Sequence, residues 1–261
     1  MERLLGLQGG RNFRDLGGYS SRDGRRVRWR TLYRSGVMSY LTPDDEVQLT
    51  ARGIRVVCDL RTAEERTREP TRWQPPGVRR LQWDYDASEI SLKGFLAVHG
   101  IDSPEDTRSA MIALYRLFPA RFEAQFAALF HELAQGALPL VFNCSAGKDR
   151  TGLAAALILT ALGVGHDDVM ADYSLTNSAV DLEHEFFAHR RGSIGVGNEH
   201  AHLATISREA RAPLLTADPG YLDAAFAQIA TDHGSIENYL QTRLDVTPTA
   251  LELIRDRLLE S

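Results

Sequence analysis

Residues 138–162 constrain the fold more than any other stretch. Leu138-Pro139-Leu140-Val141-Phe142 reads as a short buried strand, and it runs directly into Asn143-Cys144-Ser145-Ala146-Gly147-Lys148-Asp149-Arg150-Thr151-Gly152. Leu153–Leu162 continues as an apolar helix. A strand, a tight polar loop and a buried helix in immediate succession require an α/β architecture in which the helix packs back on the sheet.

The flanking chain repeats the alternation. Thr42-Pro43-Asp44-Asp45 marks a helix start that Gly53 stops, and Ile54–Cys58 follows as a buried strand. Thr62-Ala63-Glu64-Glu65 is a capping box opening a short helix. Val78–Gln82 reads as another strand. A helix is expected from about Pro119 to Gln135, with Phe122, Phe126, Leu129, Phe130 and Leu133 on one face and Gly136 as its stop. Asp218-Pro219 and Thr247-Pro248 start two more, the first stopped near Gly234. The expected fold is a central, mostly parallel sheet flanked by helices, in one domain spanning 1–261. Segments 87–118 and 181–212 fit no core element and are expected as helical lids or insertions.

Composition removes several classes. The 261 residues are 43% hydrophobic and 25% charged, which excludes disorder and collagen. A net charge of −5 provides no general basic field, so no nucleic-acid partner is expected. The longest apolar stretch, Gly152–Gly165, is too short for a membrane span, and Met1–Gly10 has no signal-peptide core, so a cytoplasmic location is expected. Cys58 and Cys144 cannot build a disulfide framework. His184, His189, His200 and His202 lack a tight ligand spacing, so no metal and no cofactor are expected.

The chemistry concentrates in residues 144–150. A loop wrapped this tightly turns successive backbone amides inward as a nest for an anion, and the following helix adds its positive N-terminus. A thiol held there is favoured as the thiolate nucleophile. Arg150 offers a planar fork for two phosphate oxygens. Together these point to phosphoryl transfer through a cysteinyl-phosphate.

These residues resemble the Cys-x5-Arg tyrosine phosphatase superfamily. Ala146-Gly147-Lys148-Asp149-Arg150-Thr151-Gly152 is more narrowly similar to the bacterial PtpB-like tyrosine/serine protein phosphatases. The resemblance extends to Asn12-Phe13-Arg14-Asp15-Leu16-Gly17-Gly18-Tyr19, Leu32-Tyr33-Arg34-Ser35-Gly36, Asp59-Leu60-Arg61 and Tyr239-Leu240. It implies a metal-free hydrolase of phosphotyrosine, in some members also of phosphoserine, phosphothreonine or phosphoinositides, releasing inorganic phosphate. The alternatives are an inositol phosphate or phosphoinositide phosphatase, or a phosphate-binding pseudophosphatase without turnover.

Matching positions assign Cys144 as nucleophile and Arg150 as phosphate binder, with the amides of Ser145, Ala146, Gly147, Lys148, Asp149 and Arg150 as the cradle. Thr151 is expected either to donate to the thiolate or to cap the helix. Lys148, one of only two lysines, is expected as a charge at the rim. The general acid is expected at Asp86, then Asp84, then Asp149. Asp59 or Arg61 is expected to brace either the cradle or the N-terminal Asn12–Asp15 segment, and Arg190-Arg191 to recruit anionic substrate. One departure stands beside the nucleophile: Asn143 occupies the position where the superfamily usually carries His.

Overall fold

The structure, a computed structural model, describes residues 2–85, 102–187 and 206–261. Along the chain, β1 (Arg14–Asp15), β2 (Arg26–Val27) and β3 (Leu32–Ser35) precede α1 (Pro43–Ala51), β4 (Val56–Asp59), α2 (Ala63–Arg68) and β5 (Arg79–Gln82). Then come α3 (Pro104–Arg121), α4 (Glu123–Gln135), β6 (Leu140–Asn143), α5 (Asp149–Ala161), α6 (His166–Ser174), α7 (Thr176–Ala179) and α8 (Leu182–Phe187). The chain closes with α9 (Arg208–Leu215), α10 (Pro219–His233), α11 (Ile236–Thr242), α12 (Pro248–Leu258) and β7 (Leu259–Glu260).

Strand pairing follows from which faces must be buried. β6 lies between β3 and β4, parallel to both, in a five-stranded sheet of order β1-β3-β6-β4-β5, and only β1 runs antiparallel to its neighbour. Alternate residues serve opposite cores. Leu32, Val56, Cys58, Leu140 and Phe142 join the large core with α5, while Tyr33, Val57 and Val141 join a second one with Phe13, Leu49 and Trp73. A strand buried on both faces carries few polar residues, which is why β4 and β6 read as apolar runs that turn polar only at their last residues, Asp59 and Asn143. The second ribbon, β2 with β7, ties the last residues of the chain to its beginning.

Local signals hold at several ends. Thr42 and Thr62 both form complete capping boxes, with Asp45 and Glu65 as the reciprocal partners. Gly136 ends α4 in the left-handed conformation, φ 74°. The helix expected from Pro119 is corrected. Pro119 lies inside α3, which starts fifteen residues earlier behind the Ser103 cap, and the chain breaks at Phe122 before α4 begins. Met111, Leu114, Tyr115 and Phe118 extend a buried stripe upstream of the proline, and this burial carries the helix through it.

The same finding corrects the expected insertion at 87–118. Its 104–118 part is a core helix packed against α9 and α10, and 86–101 lies outside the described residues. In the segment 181–212, α8 and the start of α9 are described, whereas 188–205, with His189, Arg190, Arg191, His200 and His202, lies outside. No helix among the described residues is long and apolar enough to cross a membrane.

α5 is the helix on which this arrangement turns. Leu153, Ala155, Leu157, Ile158 and Leu159 are fully buried in the large core. We expect Leu157→Ala to lower unfolding free energy by about 3 kcal/mol, the usual cost of a core cavity. Equilibrium urea denaturation checks this.

Candidate active site

The carboxyl ends of β3, β6 and β4 converge, and the loop 144–150 emerges from the middle one. It is tied to both neighbours: Val37 donates its amide to the Ser145 carbonyl at 2.9 Å, and Leu60 to the Asn143 carbonyl at 2.8 Å. Crevices at strand carboxyl ends are where ligands bind in open parallel sheets. α5 begins at Asp149 with no side chain capping its first amides, which leaves them for a ligand.

An anion nest requires the loop carbonyls to turn away from the anion. Asn12 donates its Nδ2 to the Ala146 and Gly147 carbonyls, at 3.3 and 2.9 Å. Arg34 donates Nη2 to the Gly147 carbonyl at 2.7 Å. Asn12 itself has φ 51°, a left-handed conformation that Asn tolerates better than most residues. Gly147 also has positive φ, 67°, and a Cβ there would lie 2.5 Å from the Gly36 amide nitrogen. Glycine is therefore required at 147, and Gly36 faces it across a backbone contact.

Beneath the loop lies a buried ion cluster. Asp172 of α6 accepts from Arg14 Nε at 3.1 Å and from Arg34 Nη1 at 2.6 Å, and all three side chains are almost wholly excluded from solvent. Arg14 also donates to Asn12 Oδ1, closing the circuit. Burial alone would raise the Asp172 carboxyl, but the two guanidiniums outweigh it and hold it at about 2. Burial and the neighbouring Arg34 pull Arg14 down to about 10.

The sequence candidates fall as follows. Cys144 sits at the base of the loop, 2% exposed. Arg150 reaches across the mouth, where its guanidinium donates to Glu65, to the Leu60 carbonyl and to Tyr85 Oη. Thr151 Oγ1 is buried without a hydrogen-bond partner among the described residues. Asp149 stands beside Arg150, and Tyr115 donates its hydroxyl to Asp149 Oδ1 at 2.7 Å. Tyr173 meets the Tyr115 oxygen at 2.5 Å. Burial, reinforced by the Asp149 charge, raises both phenols well above the ordinary range.

Asp84 is exposed and paired with Arg66 of α2. Among the described residues of that segment, its neighbour Tyr85 reaches the loop. Asp86, the first candidate for the acid, lies outside the described residues.

Lys148 departs from its expected place at the rim. Its ammonium turns inward onto the carbonyls of Leu214 and Thr216, and it is 1% exposed. The last carbonyls of a helix lack intrahelical donors and carry the negative dipole end, so the C-terminus of α9 attracts this cation. Asn143 donates to Asp59 Oδ1 at 3.2 Å, and Asp59 is held by Arg61 through a two-pronged contact. The Asp59–Arg61 pair thus braces the strand ends and the residue before the nucleophile. Arg61 also reaches the Glu69 carbonyl at 2.7 Å.

Glu65, Tyr85, Tyr115 and Asp172 contact the loop or its supports but were not among the sequence candidates. Only Glu65 carried a local signal, its place in a capping box.

A cysteine at the base of a loop whose carbonyls are drawn outward, an uncapped helix start and an arginine across the mouth are the parts of a cysteine-dependent phosphatase. The particular family is shown by sequence comparison. The chain belongs to the tyrosine phosphatase family, whose model matches residues 5–260, and the enzyme is a protein-tyrosine phosphatase. It is 34% identical over 241 residues to a Cupriavidus necator protein provisionally named a tyrosine-protein phosphatase, covering 90% of this chain and 82% of the relative. It is 35% identical over 199 residues to the triple specificity protein phosphatase PtpB of Mycobacterium tuberculosis, covering 67% of this chain and 69% of that one. A tyrosine-protein phosphatase of Nostoc commune is 28% identical over 144 residues, 55% of this chain and 47% of its own length.

The Asp172 cluster makes a signed prediction. Its folded carboxyl, at about 2, lies below the unfolded value of about 3.9. The stabilisation is therefore complete above about pH 4 and is lost as pH falls toward 2. Asp172→Asn should cost about 3 kcal/mol at pH 7, because two buried guanidiniums lose their counter-charge. The difference in stability between wild type and variant should shrink between pH 4 and 2, as measured by urea unfolding across that range.

Proposed function

We propose that turnover proceeds by two in-line displacements at phosphorus in the 144–150 loop. The Cys144 thiolate attacks the phosphorus of a phosphotyrosine, the P–O bond to the phenol breaks, and an aspartic acid gives its proton to the leaving oxygen. Water then attacks the cysteinyl-phosphate, the same carboxylate takes the water's proton, and the P–S bond breaks to return thiolate and inorganic phosphate. Loop amides and Arg150 stabilise the equatorial oxygens in both steps. Thr151 donates its unpartnered hydroxyl to the departing sulfur.

The observation that carries this reading is the withdrawal of the Ala146 and Gly147 carbonyls onto Asn12 and Arg34. A loop serving only as a turn has no use for two buried donors behind it. Cys144→Ser should abolish release of p-nitrophenol from p-nitrophenyl phosphate while leaving the melting temperature near wild type. Residual activity within about tenfold would overturn the covalent mechanism.

We assign the proton-transfer role to Asp149. It adjoins Arg150, and its carboxylate is oriented by Tyr115. Asp84, by contrast, faces Arg66 in solvent. Asp86 remains the competing assignment. Replacement of the acid should slow phenyl phosphate far more than p-nitrophenyl phosphate, whose better leaving group needs less protonation. Asp149→Asn should show that selectivity; finding it in Asp86→Asn instead would move the role.

Phosphotyrosine proteins are the proposed substrates, with phosphoserine and phosphothreonine added on the precedent of the relative named for triple specificity. A multiply phosphorylated lipid headgroup would draw on a second cation at the mouth, and Lys148 is the cation the loop offers beside Arg150. Its ammonium is committed to the end of α9, which removes that support. A panel of phosphopeptides against phosphoinositides decides between the two.

A further inference from the structure

Asp149 has two carboxylate oxygens, and the fold treats them differently. Oδ1 accepts the Tyr115 hydroxyl at 2.7 Å and lies 3.3 Å from the Lys148 ammonium. Among the described residues Oδ2 takes no hydrogen bond, and the side chain is 28% exposed. Both groups on Oδ1 arrive with hydrogens to give. The ammonium is a donor only, and its three hydrogens match three oxygens: the Leu214 and Thr216 carbonyls and Asp149 Oδ1. Tyr115 has a single hydroxyl hydrogen. It goes to Asp149, so the contact between the Tyr115 and Tyr173 oxygens is made by the hydrogen of Tyr173.

The tyrosine pair is assembled from helices distant in sequence. Tyr115 lies in α3 and Tyr173 in α6, and both are buried. Tyr115 packs on Phe118 and Tyr221, with ring centroids 4.9 and 5.4 Å away. Tyr173 leans on the first turn of α5. A Cβ on Gly152 would lie 2.8 Å from two carbons of the Tyr173 ring, so the glycine is what lets that ring come close. Glycine inside a helix costs about 1 kcal/mol against alanine, and α5 carries this one in the same turn as Asp149. Burial, with the Asp149 charge, raises both phenols well above the ordinary range, so both keep their hydrogens.

We propose that Tyr115, backed by Tyr173 and joined by Lys148, is a positioning residue that fixes which oxygen of Asp149 carries the transferred proton, and that this oxygen is Oδ2. The inference rests on the assignment of proton transfer to Asp149. A carboxylic acid has one O–H, and either oxygen can hold it. On Oδ1 the hydrogen would face an ammonium with no lone pair. Pointed at Tyr115 instead, it would reverse the hydroxyl chain and leave the Tyr173 hydrogen without an acceptor among the described residues. On Oδ2 it disturbs neither contact, and Oδ1 accepts from the same donors before and after transfer. In the first displacement the Oδ2–H bond breaks as the leaving phenol oxygen takes the proton. In the second, Oδ2 takes a proton from the attacking water and the acid is restored. The tyrosine pair neither gains nor loses a proton. The reactive oxygen is thus set before substrate arrives.

Tyr115→Phe removes the hydroxyl and keeps the ring. We expect it to lower kcat for phenyl phosphate about tenfold and for p-nitrophenyl phosphate less than about threefold, with KM for both within about twofold of wild type. A merely structural loss would slow both substrates alike. Tyr173→Phe leaves the Tyr115 donor in place without its own donor behind it. It should move the ratio of the two rates the same way by about threefold, and it decides the matter should Tyr115→Phe not fold. Tyr221→Phe is the control: its hydroxyl belongs to the same aromatic cluster but donates to the Pro213 carbonyl, so the ratio should stay at the wild-type value. Added to Asp149→Asn, Tyr115→Phe should change the ratio no further, because both act through one carboxyl group. An unchanged ratio in Tyr115→Phe, an equal shift in Tyr221→Phe, or a further shift in the double variant would overturn the proposal. Should Asp149→Asn itself leave the ratio at the wild-type value, the assignment of proton transfer to Asp149 fails. A shift in Asp149→Asn with none in Tyr115→Phe would overturn this inference alone.

Discussion

Peptide carbonyls and amides alternate along the backbone, so a loop can aim several amides at one point only if its carbonyls are taken elsewhere. In this protein the takers are Asn12 and Arg34, which hold the carbonyls of Ala146 and Gly147. Arg34 can be buried there because Asp172 neutralises it, and Asp172 holds Arg14, which in turn fixes Asn12. Stability alone does not explain such a cluster. A buried ion pair is often no more stabilising than apolar side chains of the same volume. Apolar side chains, however, would leave the loop carbonyls without donors, and the carbonyls would turn back toward the anion. The polar cluster exists where the sheet needs to impose a backbone orientation and not merely fill space.

The sheet explains why these groups meet. β3 contributes Arg34 and then Gly36, whose bare backbone abuts Gly147. β4 contributes Asp59 and, just beyond it, Arg61 and the capped helix that bears Glu65. β6 delivers Cys144 between them. Parallel strands expose their carboxyl ends at one edge, so the connections leaving three adjacent strands can be spent on one site. Helix α5 then buries its apolar sides against the same sheet, which holds its N-terminus, and hence the first amides after the loop, at a fixed height above the strand ends.

What could be read in the sequence was whatever is local. The apolar runs of β4 and β6, the capping boxes at Thr42 and Thr62, the stop at Gly136 and the 144–150 loop are each set by residues within a turn of one another. The supports of the loop are not. Asp172 lies 158 residues from Arg14 and 138 from Arg34, and Glu65 lies 85 from Arg150. Nothing around Asp172 in His166–Ser174 marks it as more than one of several acids on an ordinary helix. Lys148 was misplaced for a related reason. Its position in the loop suggests the rim, but the carbonyls that attract it belong to Leu214 and Thr216, which the fold alone brings near. Pro119 shows the same effect within a helix, where local propensity marks a start and tertiary burial overrides it.

Charge adds a last constraint on the site. Beneath the loop two guanidiniums, Arg14 and Arg34, face the single carboxylate of Asp172, so the buried cluster carries an excess positive charge directly under the nest. At the mouth the balance differs: Glu65 matches Arg150 one for one. The inward-facing field is therefore supplied by buried groups behind the loop, while the arginine at the mouth is held by a partner of opposite sign. In a low-dielectric interior an unpaired arginine at the mouth would attract any anion and would swing freely between geometries. Pairing it with Glu65 gives up part of its charge for a fixed direction, and the excess cation below the loop adds positive field without adding a mobile side chain. Positive charge and fixed direction at the loop thus come from different layers of the fold.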